Sequence, residues 1–278
     1  MEAVSYTAQW TAAARALESE RTDSVFVDPH ARMLAGDKGF SLLERYAGAG
    51  TVPFLAIRTK YLDDAILATI AERGISQVVF IATGMDTRCL RLPWPDGVTL
   101  YELDRPALLE KKAELLPLEA TNLAVRRHVV PVDLTGDWTG ALLDAGFDRD
   151  LPTLWMAEGL FFFLNESALR LLLSRMADLS AGGVLAGDLV SGAALRNPLA
   201  RPFLRSLEED GAPWQFGTDE PERFLADCGW RVRDLKQPGE DGADYGRWPY
   251  PTVPREVPNI PRSFLFVADQ DRRPSPGE

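Results

Sequence analysis

Histidine and cysteine are scarce in this sequence, which limits the chemistry that it can carry. There are two histidines and two cysteines among 278 residues. The cysteines, Cys89 and Cys228, lie far apart and form no metal-ligand pattern, so we expect buried thiols in a reducing compartment and no metal site. His128 falls inside a predicted strand, where a structural role is expected. His30 therefore remains as the histidine that could touch a substrate as a catalytic group.

Positive charge and long apolar runs are lacking as well. Thirty Lys and Arg residues against forty-one Asp and Glu give a formal net charge of −11. A phosphate backbone would be repelled by most of this surface, which argues against a nucleic-acid partner. No stretch approaches the roughly 18 apolar residues of a membrane span, and the first residues lack a signal-peptide pattern. We expect a cytoplasmic protein without a membrane partner, and the sequence leaves its oligomeric state open.

From residue 76 onward, short apolar runs alternate with amphipathic segments. The apolar runs predict strands at residues 77–82, 98–103, 125–132, 153–157, 183–190, 230–236 and 262–269. The segments between them predict helices at residues 106–116, 136–145, 166–179 and 220–228. This alternation is typical of an α/β fold, in which helices cover both faces of a mostly parallel sheet.

The remaining segments are predicted to be additions to that one domain. Residues 1–75 are predicted to form an N-terminal helical cap that belongs to the same domain, and residues 76–270 the core. A proline-containing segment at about residues 191–216 is expected to be an inserted lid, and residues 271–278 a polar tail.

The glycine pattern of a dinucleotide-binding turn is missing after the first strand. That strand ends in Ala82-Thr83-Gly84-Met85-Asp86, where Gly84 stands alone. Without a G-x-G-x-x-G cradle for pyrophosphate, an adenosine ligand that carries no phosphate fits better than a dinucleotide. Gly84 suits a close backbone approach or a positive φ, and Asp86 could bind a cationic or hydroxyl-bearing group. A plain structural turn is an equal alternative.

Acidic residues end the next strands at the same predicted edge of the sheet. Either Glu102 or Asp104 could bind the two hydroxyls of a ribose. Asp133, which precedes Leu134, could accept the exocyclic amine of adenine, and Glu158 would face the positive end of a ligand. Asp104 and Asp133 can equally be helix caps. Together the acids favour a cationic, ribose-bearing ligand without phosphates, such as S-adenosylmethionine.

Several motifs in chain order resemble the leucine carboxyl methyltransferase family, which also contains many bacterial small-molecule O-methyltransferases. The similarity spans about residues 10–270. It is carried by Phe26-Val27-Asp28-Pro29, Arg58-Thr59 with Asp63-Asp64, Gly84-Met85-Asp86-Thr87-Arg88, Glu102-Leu103-Asp104-Arg105-Pro106 and Ala157-Glu158-Gly159-Leu160. The resemblance implies a Rossmann-like class I methyltransferase with seven strands, the last one antiparallel, and S-adenosylmethionine as the methyl donor.

The resemblance also implies roles for individual residues. Arg58 would pair with the methionine carboxylate of the donor, and Gly84 would lie under its methionine–ribose junction. Asp104 would take the ribose hydroxyls and Asp133 the adenine. Glu158 would lie near the amino group of the methionine moiety.

Two positions depart from the family pattern. Ala82 stands where some members have a glycine, which barely affects donor binding. Phe163, a candidate substrate-binding residue, stands where a tyrosine is frequent, and the missing hydroxyl argues against a polar role there. The stretch at residues 244–251 resembles bacterial members that carboxyl-methylate aromatic polyketides, although a rigid loop that packs against the domain accounts for it equally well.

The scarcity of histidine favours a carboxyl acceptor, because a carboxylate is already ionised at neutral pH and needs no general base. An arginine could hold it by bidentate hydrogen bonds, and Arg21, Arg196 and Arg201 are the candidates among which the sequence does not choose. Tyr6 and Trp10 could stack on an aromatic substrate, or could simply pack their helix against the core.

The sequence therefore predicts an S-adenosylmethionine-dependent O-methyltransferase. Its acceptor would be a carboxyl or phenolic hydroxyl group of a small molecule, such as an aromatic polyketide or another secondary metabolite. Two alternatives stay open: methylation of a protein C-terminal carboxyl group, and binding of the donor by the same fold without methyl transfer.

Overall fold

A single sheet organises the chain in the computed structural model, which describes residues 3–46, 48, 50–116 and 125–271, with side chains from residue 7 onward. The strands are β1 Gln77–Ile81, β2 Thr99–Asp104, β3 Arg126–Pro131, β4 Thr153–Ala157, β5 Val184–Val190, β6 Trp230–Lys236 and β7 Ser263–Gln270. Their order across the sheet is β3-β2-β1-β4-β5-β7-β6. Neighbours among β1–β5 pair in parallel, whereas β7 runs antiparallel between β5 and β6. The predicted seven-stranded α/β fold is confirmed.

Helices precede and separate these strands. They are α1 Ala3–Ser19, α2 Ala31–Tyr46, α3 Thr51–Arg73, α4 Arg88–Arg91, α5 Pro106–Leu115, α6 Trp138–Asp144, α7 Glu166–Leu179, α8 Gly192–Arg196, α9 Arg201–Glu209 and α10 Pro221–Asp227. Within α2, Gly36 has a φ of 53°, so this helix is kinked. Among the described residues, no helix combines the length and the apolar character that a membrane crossing requires.

The alternation of side chains along β1 separates two apolar layers. Val79 and Ile81 face the layer that contains α6 and α7, and Val78 and Phe80 face the layer built on α3. All residues of β1, β4 and β5 are buried. That is why these strands are continuous apolar runs rather than alternating ones.

A third apolar cluster joins α1 and α2 to the segment that follows β5. It includes Trp10, Tyr46 and Leu207, which come from α1, α2 and α9. The end of α9 is tied to α2, because the Tyr46 hydroxyl donates to Asp210 and Arg45 lies 3.3 Å from the same carboxylate. The role of this segment as a lid stays a prediction. Apart from residue 271, the predicted tail lies outside the described residues.

Gly187 on β5 provides a test of how tightly the centre of the sheet is packed. A Cβ at this position would lie 2.5 Å from the carbonyl oxygen of Ala157, which is backbone of β4 and cannot move alone. We expect Gly187→Ala to lower the free energy of unfolding by about 2 kcal/mol through overpacking. Urea unfolding followed by circular dichroism measures this loss.

Gly136→Ala is the matched control, because its Cβ would approach the Asp133 carbonyl oxygen no closer than 3.5 Å. Its stability should stay within about 0.5 kcal/mol of the wild type. Equal stability of the two variants would contradict the close packing of β4 against β5.

Candidate active site

A cavity of about 200 Å³ lies above the carboxyl ends of β1, β2, β3 and β4. It spans the point between β1 and β4 where the strand order reverses, which is where open α/β sheets bind ligands. Helix α1 covers it from above, with Thr7, Ala8 and Thr11 on the wall. The wall includes most of the residues singled out from the sequence, namely Trp10, Arg58, Ala82, Gly84, Asp86, Asp104, Asp133, Leu134, Glu158 and Phe163.

The turn after β1 brings backbone to the floor of the cavity. Gly84 has a φ of 54°, and a Cβ there would lie 3.1 Å from the Cβ of Ala8 on α1. Both its conformation and its surroundings therefore favour glycine. Ala82 also has a positive φ, 55°, which is uncommon for a residue with a side chain. This conformation gives a physical reason why a glycine would be accommodated at position 82.

Asp104 at the end of β2 holds this turn in place. Its Oδ2 accepts a hydrogen bond of 2.7 Å from the Gly84 N–H, and its Oδ1 accepts one of 2.7 Å from the Arg105 N–H. Burial raises the pKa of Asp104, although the two backbone N–H groups oppose that rise. The carboxylate thus joins β2 to the β1 turn and still faces the cavity.

Glu102 does not reach the cavity, which corrects its assignment as a ribose ligand. It points to the same face of β2 as Asp104 but lies two residues, or roughly 7 Å, below the strand end. There its Oε2 lies 2.9 Å from Lys112 Nζ and 2.6 Å from Arg127 Nη2. Burial alone would raise the pKa of Glu102, but these two cations outweigh burial and hold it at about 2. Glu102 is an internal counterion.

On the opposite side of β1, a chain of buried ion pairs forms the wall. Arg58 on α3 donates from Nη1 to Asp188 Oδ2 at 3.0 Å and from Nε to Glu158 Oε1 at 2.9 Å. Glu158 Oε2 accepts a further bond of 2.7 Å from Arg88 Nη1. The side chains of Arg58 and Arg88 are at most 5% exposed. Both oxygens of Glu158 are therefore held by arginines.

Arg88 extends the chain toward the outside of the cavity. Its Nε donates to Asp63 Oδ1 at 2.6 Å, and its Nη1 also contacts Asp86. Asp63 accepts two more bonds from Arg91, of 2.6 and 2.8 Å. We call the connected set Asp188, Arg58, Glu158, Arg88, Asp86, Asp63 and Arg91 the ion chain.

The ion chain fixes the protonation state of Glu158. Burial by itself would raise the pKa of this carboxyl group, but Arg88 and Arg58 outweigh burial and hold it at about 2. Glu158 therefore stays ionised at neutral pH. It can accept hydrogen bonds from a cationic group of a ligand, and it is a weak proton acceptor.

Asp133 and Leu134 close the far end of the cavity after β3. The Asp133 carboxylate is exposed and accepts bonds from the Thr135 N–H at 2.9 Å and the Thr135 hydroxyl at 2.8 Å. These bonds hold the pKa of Asp133 below its usual value. Its carboxylate has further capacity to accept an amine.

Sequence reasoning missed Arg15, Thr83 and Phe162, which also line the cavity. Arg15 anchors the covering helix, since its Nε lies 2.9 Å from Asp28 Oδ2 and its Nη2 lies 2.5 Å from the carbonyl oxygen of Met85. Asp28 belongs to the motif Phe26-Val27-Asp28-Pro29 that carries the family resemblance, and this was the available signal. The partnership of Arg15 with Asp28 across 13 residues could not be deduced from spacing.

The arginines that were expected to hold an acceptor carboxylate lie elsewhere, which corrects that assignment. Arg21 is half-exposed and pairs with Asp23 at 2.9 Å, and Arg196 is exposed and pairs with Asp219 at 2.8 Å. Arg201 is exposed at the start of α9, away from the cavity wall. None of the three lines the cavity because each projects from the outer face of its segment.

The two histidines are also placed apart from the cavity. His30 lies next to α2, where its backbone N–H donates to Asp28 Oδ1 at 3.1 Å, and its side chain does not line the cavity. His128 stacks on Tyr101 with ring centroids 5.0 Å apart. The side chain of Tyr6 lies outside the described residues.

The proline- and tryptophan-rich stretch at residues 244–251 braces the N-terminal segment. Arg247 Nη2 lies 2.9 Å from Glu18 Oε1 on α1, and the Tyr245 hydroxyl lies 3.2 Å from Asp64 Oδ2 on α3. No residue of this stretch lines the cavity. It is a packing loop in this fold.

Comparison with known proteins places the chain among methyltransferases. The family model described as leucine carboxyl methyltransferase matches residues 8–177. A relative from Mycobacteroides abscessus, assigned by prediction as an S-adenosyl-L-methionine-dependent methyltransferase, is 36% identical over 96% of this chain and 95% of its own length. A relative from Parafrankia sp. with the same assignment is 39% identical over 84% of this chain and 78% of its own.

Two solved structures share the fold at low sequence identity. One is a DUF574 family protein from Streptomyces avermitilis, with a TM-score of 0.62 and 14% identity, covering 94% of this chain and 97% of that one. The other, from Thermobifida fusca, is described as a predicted methyltransferase and has a TM-score of 0.60 and 16% identity, covering 85% and 90%. Both likenesses concern the fold alone.

The reassignment of Glu102 can be tested by its effect on stability. Glu102→Gln leaves the charges of Lys112 and Arg127 buried without their counterion, so we expect a loss of about 3 kcal/mol at pH 7. Because the pKa of Glu102 is lowered from 4.5 to about 2, its stabilisation is present above about pH 4.5 and is lost as the pH falls toward 2. Urea unfolding at pH 7, 4.5 and 3 should show the difference from the wild type shrinking across that range.

Glu166→Gln is the control, because Glu166 pairs with Arg170 on the surface and its side chain is 57% exposed. It should change stability by less than about 1 kcal/mol. A difference between Glu102→Gln and the wild type that stays constant from pH 7 to 3 would contradict the internal counterion role.

Proposed function

This chain belongs to the leucine carboxyl methyltransferase family, and from that premise we propose that it transfers the methyl group of S-adenosylmethionine to a carboxyl oxygen of a small aromatic molecule. One observation carries the proposal. A single cavity at the switch point of the sheet combines carboxylates, a buried arginine and an aromatic wall, formed by Asp104, Asp133, Glu158, Arg58 and Phe163. These groups match a cationic nucleoside donor and an apolar acceptor.

The cavity wall fits the donor on three counts. A Cβ at Gly84, whose φ is 54°, would lie 3.1 Å from the Cβ of Ala8, and a Cβ at Gly159, whose φ is 66°, would lie 3.1 Å from Arg58 Nη1. Asp104 and Asp133 offer carboxylates for the ribose hydroxyls and the adenine amine. Arg58 and Glu158 offer opposite charges for the carboxylate and the ammonium group of the methionine moiety.

S-adenosylmethionine, when bound, supplies a methyl group on a positively charged sulfur. The residues of this chain hold the two reactants in line and exclude water. The ion chain keeps Arg58 and Glu158 in fixed positions, so that little reorganisation is needed on binding. Helix α1 covers the cavity and is anchored to it through Arg15 and the Met85 carbonyl oxygen.

The weak basicity of the ionisable groups on the cavity wall favours a carboxyl acceptor over a phenol. Among the described lining side chains, the ionisable ones are arginines and carboxylates. Glu158 is a weak base with its pKa at about 2, and Asp86 is paired with Arg88. A phenol would have to lose its proton to such a group, whereas a carboxylate has no proton to lose.

A small acceptor is favoured over a protein C-terminus because helix α1 lies over the cavity and occupies part of its wall. Five residues of α1 contribute to the wall, namely Thr7, Ala8, Trp10, Thr11 and Arg15. A polypeptide chain needs an open groove on at least one side. The aromatic polyketide acceptor stays a narrower hypothesis, since the stretch at residues 244–251 that suggested it packs outside the cavity.

Donor binding can be tested with two isosteric variants on one strand. We expect Asp104→Asn to weaken S-adenosylhomocysteine binding by about 1–3 kcal/mol, because a charged hydrogen-bond acceptor is lost. Glu102→Gln should leave the affinity within about twofold, since Glu102 lies below the cavity. Calorimetric titration of folded protein measures both, and equal affinities of the two variants would contradict the site. Arg58→Ala is expected to weaken binding by about the same amount as Asp104→Asn.

Methyl transfer can be tested with donor that is labelled on its methyl group. A panel of aromatic carboxylic acids and matched phenols is incubated with enzyme and donor, and the products are identified by mass. We expect methyl esters, formed at a rate that is nearly constant from pH 6.5 to 8.5, because the acceptor is ionised throughout. A rate that rises tenfold per pH unit would indicate a phenol acceptor. Donor binding without transfer to any acceptor would favour the non-methylating alternative.

A further inference from the structure

Three tryptophans among the described residues bury an indole N–H that has no hydrogen-bond partner there: Trp10, Trp138 and Trp214. A buried donor without a partner costs free energy and calls for an explanation. Trp138 packs in the core against Trp155, with ring centroids 6.3 Å apart. Trp10 differs from the other two because it lines the cavity, while its residue as a whole is only 8% exposed.

Trp10 stands at one end of a continuous series of ring contacts. Its centroid lies 5.8 Å from that of Tyr46, which lies 6.2 Å from that of Phe203. The series continues through Trp214, whose centroid lies 5.1 Å from that of Phe203 and 4.4 Å from that of Phe162. Both ends, Trp10 and Phe162, belong to the cavity wall. One part of the cavity is therefore framed by an aromatic arch that runs from α1 over the segment after β5.

The charged groups near this part of the wall already have partners. Arg15 is bound to Asp28, and Arg58 is bound to Glu158 and Asp188. Among the fully buried polar side-chain atoms of the described wall residues, those without a hydrogen-bond partner belong to two neutral groups, the Trp10 N–H and the Thr83 hydroxyl. The corrected positions of Arg21, Arg196 and Arg201 also leave the acceptor without the arginine that the sequence had suggested.

We propose that Trp10 selects the acceptor: its Nε1–H donates to a carboxylate oxygen, while its ring and Phe162 pack on an aromatic body. This assignment rests on the proposed function and adds to it the residue that recognises the acceptor carboxylate. In the reaction, a carboxylate oxygen forms a bond to the methyl carbon as the carbon–sulfur bond breaks, and the bonding pair stays on sulfur. The products are a neutral ester and a thioether, and no proton is transferred.

A neutral donor suits this reaction better than an arginine. The negative charge of the carboxylate disappears during methyl transfer, so any group that binds that charge strongly stabilises the starting state more than the transition state. The indole N–H orients the oxygen with a weaker interaction. The acceptor is thus positioned with little loss of nucleophilicity.

Conservative variants test the assignment on protein saturated with S-adenosylhomocysteine. Trp10→Phe keeps a ring and removes the N–H, and Trp138→Phe removes an equally unpartnered N–H from the core. The probes are 2-naphthoate and 2-naphthol, titrated by calorimetry. We expect Trp10→Phe to weaken 2-naphthoate binding by about tenfold or more, as for a hydrogen bond to a charged group. Binding of 2-naphthol should change by less than about threefold, and Trp138→Phe should behave like the wild type.

Three results would overturn the proposal. They are unchanged 2-naphthoate affinity in Trp10→Phe, equal losses in Trp10→Phe and Trp138→Phe, and no binding to the wild type of 2-naphthoate, benzoate or anthracene-2-carboxylate. The affinity for S-adenosylhomocysteine, measured first, shows that each variant is folded.

Failure of the proposed function has a different signature. Carboxylate binding that depends on Trp10, without methyl transfer to any acid, would reject the catalytic activity and keep the binding assignment. Methylation of an aromatic acid with the same KM in Trp10→Phe as in the wild type would reject the role of Trp10 alone.

Discussion

The cavity depends on one constraint, which is the burial of several charges in a connected chain. Arg58, Glu158 and Arg88 come from α3, the end of β4 and the start of α4, and they meet within hydrogen-bonding distance. Each charge is costly to bury alone, but every member has an opposite charge beside it. The sheet and its helices must therefore assemble in one relative position. The ion pairs that offset the cost of burying these charges also determine which charged groups line the cavity wall.

Much of the fold could be predicted because it follows from local patterns. The buried strands are continuous apolar runs, and their separation by amphipathic helices requires a parallel sheet. The topology then brings residues at strand ends to one edge, which is why Asp104, Asp133 and Glu158 could be placed on a common rim. The sequence did not show how far the Glu102 side chain lies from the end of β2. Glu102 points to the same face of β2 as Asp104 but lies beneath the rim, where Lys112 and Arg127 surround it.

The acceptor side of the cavity was less predictable because it is built from distant segments. Whether an arginine on a helix or loop faces inward depends on how that segment docks, and Arg21, Arg196 and Arg201 all face outward. The partnership of Arg15 with the Met85 carbonyl oxygen joins residues 70 positions apart, and no spacing rule reveals it. The aromatic arch likewise combines α1, α2, α9 and the turn after β4. The sequence contains these rings, but their order in space is a tertiary property.

The position of β7 has a consequence for how the chain is made. β7 lies between β5 and β6, although it is the last of the seven strands to be synthesised. Until residues 263–270 emerge from the ribosome, β6 has no place in the sheet and the apolar edge of β5 stays open. The nascent chain can form β1–β5 early, but it completes its sheet only after β7 has emerged. During that interval the unpaired edge of β5 is the part of the molecule that most needs protection from aggregation.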